Sequence, residues 1–233
     1  MKTKILAAIV AVMAAGAAQA TLYTYGWNSG FANGGVIPDG SLTGLTDTRT
    51  VPDSFTQFPG DTAQIVDVNV RLNISGGYNG DLYGYLVHST GFAVLLNRSG
   101  RTGSDPFGYA DAGFNITLDG SAATDIHSYG GNSGNQLTGT WQADARNVDP
   151  ATVTDASSRS AYLSSFNTLD ADGSWTLFLA DMSGGDVSTL VSWGLDIEVV
   201  PEPTTWALIG FTVLFLAVTM VRMLQQRGPA RSC

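Results

Sequence analysis

The chain has 233 residues, 20 acidic against 11 basic, a formal charge of −9 and a single cysteine, Cys233. All 20 acids fall between Thr21 and Pro203, where six arginines and no lysine oppose them, a balance of −14. That balance makes nucleic acid and anionic lipid poor partners, since both require clustered cations. One cysteine also excludes disulfides, CxxC metal or redox motifs and a papain-like thiol within the domain.

The first twenty residues, MKTKILAAIVAVMAAGAAQA, place Lys2 and Lys4 before an apolar run that ends on Ala18-Gln19-Ala20. This is the pattern of a secretory signal peptide over residues 1–20, cleaved after Ala20 at the Ala18-x-Ala20 site. Its Ala-rich run is short for a membrane span. Without both ends, roughly 180 residues remain, a natural size for one β-sandwich domain over 21–199.

From Thr21 to Gly60 the abundance of Gly, Thr, Asn, Asp and Pro predicts one or two strands joined by long turns. AQIVDVNVRLNIS then alternates: Val66, Val68, Val70, Leu72 and Ile74 point one way, Asp67, Asn69, Arg71 and Asn73 the other. Period two predicts a strand with one buried face. GGYNGD, from Gly76 to Asp81, supplies turn chemistry, and strands are expected at Leu82–His88, at FAVLLN and at AGFNITLD, with Phe114, Ile116 and Leu118 on one face. Residues 120–165 are the least regular, and YLSSFNTL reads as a short helix or a turn. Two further strands close the domain: SWTLFLAD, with Trp175, Leu177 and Leu179 inward, and LVSWGLDIEVV, with Val191, Trp193, Leu195, Ile197 and Val199 inward.

Many short strands near ten-residue spacing, Gly/Asn/Asp turns and no amphipathic helix before Val200 predict an all-β fold, an antiparallel jelly roll or β-sandwich. A parallel α/β fold would need helical crossovers, and no short repeat points to a solenoid or propeller.

Few residues carry chemistry. His88 and His127 are the only histidines, one at a strand end and one in a polar loop, and both read as solvated or locally hydrogen-bonded. No spacing singles out a catalytic carboxylate pair. Asp170-Ala171-Asp172-Gly173-Ser174 begins like an oxygen-ligand loop for Ca²⁺, with Asp170 and Asp172 as ligands, or is simply an Asp-Gly turn entering a strand. Sequons occur at Asn73, Asn97 and Asn115 and read as chance occurrences. Tyr78, Tyr83 and Tyr85 either line a carbohydrate-binding surface or pack across strands.

Gly80-Asp81-Leu82, Gly91, Gly173-Ser174-Trp175-Thr176-Leu177, Asp181 and Ser192-Trp193 occur in the order found in the P domain that follows the catalytic domain of proprotein convertases such as kexin and furin. The stretch from about 60 to 199 resembles that domain, although Gly76 and Gly77 stand where family members carry a His and the Pro of the turn at Ser89 is missing. The resemblance implies an eight-stranded or similar jelly roll, association with a serine endopeptidase, and Asp81, Asp181 and Asp186 as further metal candidates. It does not imply an enzyme: no catalytic residue is assigned, because a subtilisin-like triad needs a separate domain for which the chain has no room.

At the C-terminus, Trp206–Val221 is apolar apart from Thr and Gly, and with Thr204 and Thr205 it reaches the low end of a transmembrane helix, about 204–221. Arg222, Arg227 and Arg231 follow as a cytoplasmic stop. Pro201-Glu202-Pro203 stands just ahead. Tripeptide, span and basic end together, over 200–233, resemble the PEP-CTERM sorting signal of Gram-negative bacteria. That resemblance implies processing by an exosortase and passage from a transient inner-membrane anchor to the cell surface or medium. A permanent anchor is the alternative. The sequence thus predicts a non-catalytic exported binding or structural module in an exopolysaccharide or biofilm setting; the alternatives are an accessory of an envelope serine protease and a Ca²⁺-dependent carbohydrate-binding module.

Overall fold

The computed structural model describes residues 19–52, 63–201 and 203–226, and within 201–226 the side chains of 210–223. Ala18 with the rest of 1–18, Glu202, Arg227, Arg231 and Cys233 lie outside the described residues.

Nine strands are described: β1 (Thr21–Trp27), β2 (Ser41–Val51), β3 (Ala63–Gly76), β4 (Leu82–His88), β5 (Gly91–Asn97), β6 (Gly113–Leu118), β7 (Leu137–Trp141), β8 (Gly173–Asp181) and β9 (Ser188–Pro201). They form a five-stranded sheet ordered β1-β9-β3-β6-β7 and a four-stranded sheet ordered β2-β8-β4-β5. The chain is an all-β sandwich. All pairings within the sheets are antiparallel except β6 with β7, which run parallel. The irregular stretch after β6 carries the chain back to its starting end before β7 begins. YLSSFNTL contributes a 3-10 turn, Leu163–Phe166, that buries Leu163 and Phe166 beneath the sheets.

The core follows the period-two pattern wherever the ladder is regular. Val68, Val70, Leu72 and Ile74 of β3 meet Trp193, Leu195, Ile197 and Val199 of β9 on the inner face, opposite Trp175, Leu177 and Leu179 of β8. Two expected inward residues point outward. Val66 is 37% exposed and Val191 42% exposed, while Ile65 and Leu190 are buried in their place. Each sits at a register shift in the β3–β9 ladder, between Ile65 and Asp67 and opposite the Asn73–Ile74 step. A bulge adds one unpaired residue and moves every side chain beyond it to the other face.

Polar groups tie the two sheets together. Trp193 Nε1 donates to Asp47 Oδ2 of β2 at 2.7 Å, and Arg49 Nε donates to the same oxygen at 2.7 Å. Trp175 Nε1 donates to the Ala171 carbonyl at 3.1 Å.

After β9 the helix α1 runs from Pro203 to Gln226. Among the described residues no helix is long and apolar enough to cross a membrane, so the transmembrane helix expected at about 204–221 is not found.

Replacing Trp175, which is fully buried, with alanine is expected to cost about 3–5 kcal/mol. Trp193→Phe, which keeps most of the bulk but removes the indole donor to Asp47, should cost about 1–3 kcal/mol. Urea unfolding with an unchanged slope and a lowered midpoint is the measurement.

Candidate functional site

The five aspartates named as metal candidates fall into two separate places, with Asp186 just beyond Asp181 in the turn after β8. Asp170 and Asp172 lie where the chain enters β8, and Asp181 closes that strand. Eight residue steps along a strand separate Gly173 from Asp181, roughly 26 Å, too far for one ion. At the entry, burial and then the neighbouring Asp172 push the Asp170 carboxyl upward. Among the described residues no group of three or more His, Cys, Asp or Glu side chains is placed to hold a metal.

At the far end Asp81 and Asp181 lie close together. β4 and β8 pair Leu82 with Asp181. Asp81 Oδ1 accepts from Arg98 Nη2 at 3.1 Å. Asp181 is fully buried; one oxygen accepts from the Ser183 amide at 3.3 Å and Oδ2 has no partner. Burial first, then the negative charges of Asp81, Asp39 and Asp186, raise its pKa to about 6.

Both histidines are structural, and neither is solvated. His88 stacks on Trp175 with ring centroids 4.0 Å apart, its Nδ1 3.1 Å from the Ser174 carbonyl and its Nε2 2.7 Å from that of Asp170. His127 is buried, with Nδ1 2.8 Å from Asp144 Oδ2 and Nε2 2.9 Å from the Arg101 carbonyl. Burial by itself opposes its charge, but the hydrogen bond and charge of Asp144, helped by the Arg101 carbonyl, prevail and raise the pKa. Asp144, itself fully buried, also accepts from the Asn97 and Arg146 amides and pairs with the Arg146 guanidinium at 3.3 Å. Arg146 and Arg159 both reach Asp125. This network pins the irregular stretch 120–160 to the sandwich. The only sequence signal for it was the pair Asp144 and Arg146 in an otherwise small-residue run.

The tyrosines do not form an open binding line. Tyr83 and Tyr85 pack against Phe178 of β8, at 6.4 and 4.7 Å between centroids, and Tyr85 against Phe92 of β5 at 5.4 Å. Tyr78 lies apart and donates from its hydroxyl to the Gly108 carbonyl. The cross-strand alternative is the one observed.

The open surface lies on the other sheet. Across its outer face, Gly26, Gly194, Arg71, Thr117 and Thr140 stand in one register row, from β1 through β9, β3 and β6 to β7. The neighbouring row carries Ser192, Asn73, Asn115 and Thr138. A groove of about 610 Å³ follows these rows, with Trp27 and Asn28 at the β1 end. Glycine makes the trough. A Cβ at Gly194 would come within 2.5 Å of the Tyr25 carbonyl and 2.8 Å of Arg71 Nη2. The Arg71 side chain instead lies across β9, donating to the Tyr25 carbonyl at 2.7 Å with Nε 3.2 Å from Asp196. Gln136 Nε2 donates to Asn73 Oδ1 at 3.1 Å, which turns the Asn73 amide nitrogen away from it.

No carboxylate lines this groove. Acids gather at the opposite end of the same face, where burial and the charges of Asp119 and Glu198 push Asp67 upward. Sequence reading placed Asn73 and Arg71 on the polar face of their strand, but nothing in it brought them beside Ser192 and Gly194.

No protein-family model matches the chain, nor does any curated protein. Among solved structures, the serine protease of Aeromonas sobria is similar at 14% identity and a TM-score of 0.43, and its complex with the chaperone ORF2 at 13% and 0.42. Each comparison covers 82% of this chain, which spans 29% of the chain it is compared with. A likeness that distant carries no argument about activity or partners.

Two outcomes follow from the buried carboxylates. Between about pH 4 and pH 6 the folded state keeps a proton on Asp181 that the unfolded chain has released, so ionising it as pH rises costs stability, on the order of 2–3 kcal/mol. The stability of Asp181→Asn minus that of the wild type should therefore rise across that window in urea titrations. Asp144→Asn leaves Arg146 and His127 short of a buried counter-charge and should lose about 3–5 kcal/mol at neutral pH by the same measurement.

Proposed function

We propose that the chain is the precursor of an exported, non-catalytic β-sandwich that works at the surface or in the extracellular matrix of a Gram-negative bacterium, binding through the open face of its five-stranded sheet. The observation that carries this reading is the groove on that face, lined by no carboxylate and with its one cation, Arg71, paired to Asp196, set on an otherwise acidic domain. The non-catalytic part draws support from the histidines. Every ring nitrogen of His88 and His127 faces a carbonyl or a carboxylate, which leaves neither free to act as a base towards a ligand.

Delivery rests on the two ends. Residues 1–20 act as the leader. The segment from Pro201 onward serves as the sorting tag that an exosortase removes at Pro201-Glu202-Pro203. Its side chains Phe211, Val213, Leu214, Phe215 and Leu216 are exposed, and positions 213–216 point in all directions around a helix. Exposed apolar side chains of this kind need a partner to cover them, and Arg222 follows the apolar run.

Mass spectrometry of the native protein from membrane, surface and medium fractions tests this reading. The expected mature form begins at Thr21, ends near Pro203 and is absent from the cytoplasm. Substituting Asn73→Asp together with Asn115→Asp should shift that mature form from the cell-associated fraction into free medium. A chain found intact through Cys233, or retained in the cytoplasm, would refute the delivery route; cell association unchanged by the double substitution would refute the role of the face.

A further inference from the structure

Taking the open sheet face as the binding surface, as proposed above, we infer that its groove holds a neutral polysaccharide chain, laid across the strands along the two polar rows, without the help of a metal ion. The side chains offered there are amides and hydroxyls: Asn73, Asn115, Ser192, Thr117 and Thr140. Such groups both donate and accept, which is what a ligand made of hydroxyls requires, because each sugar hydroxyl also does both.

Charge selects among polysaccharides. Arg71 is the one ionised side chain lining the groove, and Asp196 already pairs with it. A chain of uronates would gain no free cation, and it would meet Asp67, Asp119 and Glu198 at the other end of the face together with the domain balance of −14. An uncharged chain meets no such field. An extended peptide is a poorer fit: the rows run across strands whose backbone groups are committed to the sheet ladder, whereas strand addition uses a sheet edge.

Shape agrees with this choice. Five strands at a spacing of ~4.8 Å make a track of ~19 Å, the length of a short oligosaccharide segment. The volume of about 610 Å³ lies within the range of about 300–1,000 Å³ for ligand clefts. At Gly26 and Gly194 the surface carries only the Arg71 side chain, which a Cβ at Gly194 would displace. Since no carboxylate lines the groove, binding needs no cation, which separates this site from a Ca²⁺-dependent one.

Affinity electrophoresis of the mature protein, purified from its native envelope or medium, tests the inference. The gels contain laminarin, hydroxyethylcellulose or galactomannan as neutral chains and alginate as the anionic one, each with and without EDTA. Retardation by at least one neutral chain is expected, unchanged by EDTA. It should weaken about tenfold or more in the Asn73→Asp, Asn115→Asp variant, which loses two amides and gains two charges. Leu42→Asp, at an exposed position of β2 in the other sheet, should leave retardation unchanged, and far-ultraviolet circular dichroism should show both variants folded. Retardation by alginate alone, loss in EDTA, or undiminished retardation of the double variant overturns the inference. So does the absence of retardation by all three neutral chains; export and the role of the face would then still stand or fall on the fractionation described above.

Discussion

The antiparallel pairing of β3 with β9 is the constraint on which the rest of the molecule depends. It joins Ala63–Gly76 to Ser188–Pro201, so everything between them in sequence is folded inside a closed loop of more than a hundred residues. Closing a loop of that length is entropically costly, and the inner faces of the two strands offset it by burying Val68, Val70, Leu72, Trp193, Leu195 and Ile197 together. β1 then adds to the free side of β9 and β6 to the free side of β3. The second sheet packs beneath. Because the same register fixes both faces, the pairing that makes the core also aligns Arg71 with Gly194 and Asn73 with Ser192 outside.

Charge is distributed by scarcity. The segment Thr21–Pro203 has six arginines for its 20 acids, and five of them sit in ion pairs: Arg49 with Asp47, Arg71 with Asp196, Arg98 with Asp81, and Arg146 and Arg159 with Asp125. Arg101 instead donates to the Pro150 carbonyl. Each cation therefore holds an internal joint, and the charge left to the solvent is chiefly negative. Asp144, without water, takes its compensation from His127 and Arg146. Asp181 has no such partner on Oδ2, and its neighbours are further acids. Burial has opposite consequences at these two sites because one is faced by donors and the other by like charge.

Much of the fold was legible because period-two alternation and turn residues are local signals. The strands around Leu72, Leu86, Phe114, Leu177 and Ile197 and the all-β class follow from them. Val66 and Val191 were misplaced for a physical reason: a bulge is a property of two strands in register, and a single strand's pattern contains no mark of where its partner skips a residue. The parallel entry of β7 beside β6 was hidden for the same reason, since the stretch between them has no periodicity. Of the two options for His127, solvation or local hydrogen bonding, its polar surroundings in sequence could not choose, because its partners Asp144 and Arg101 are distant in the chain and meet it only after burial.

The candidate site divides in the same way. The amino-acid order determined that Arg71 and Asn73 share the polar side of one strand, that Gly26 and Gly194 carry no side chain, and that carboxylates dominate the domain, because composition and alternation are written along the chain. Tertiary structure decided that these residues form two polar rows whose one cation is paired, that Tyr83 and Tyr85 belong to a packed aromatic cluster on the other sheet, and that Asp81 meets Asp181 while Asp170 stays a strand's length away. Those facts depend on pairing between segments more than a hundred residues apart, where hydrophobic burial on the inner face selects the register and the outer face inherits it.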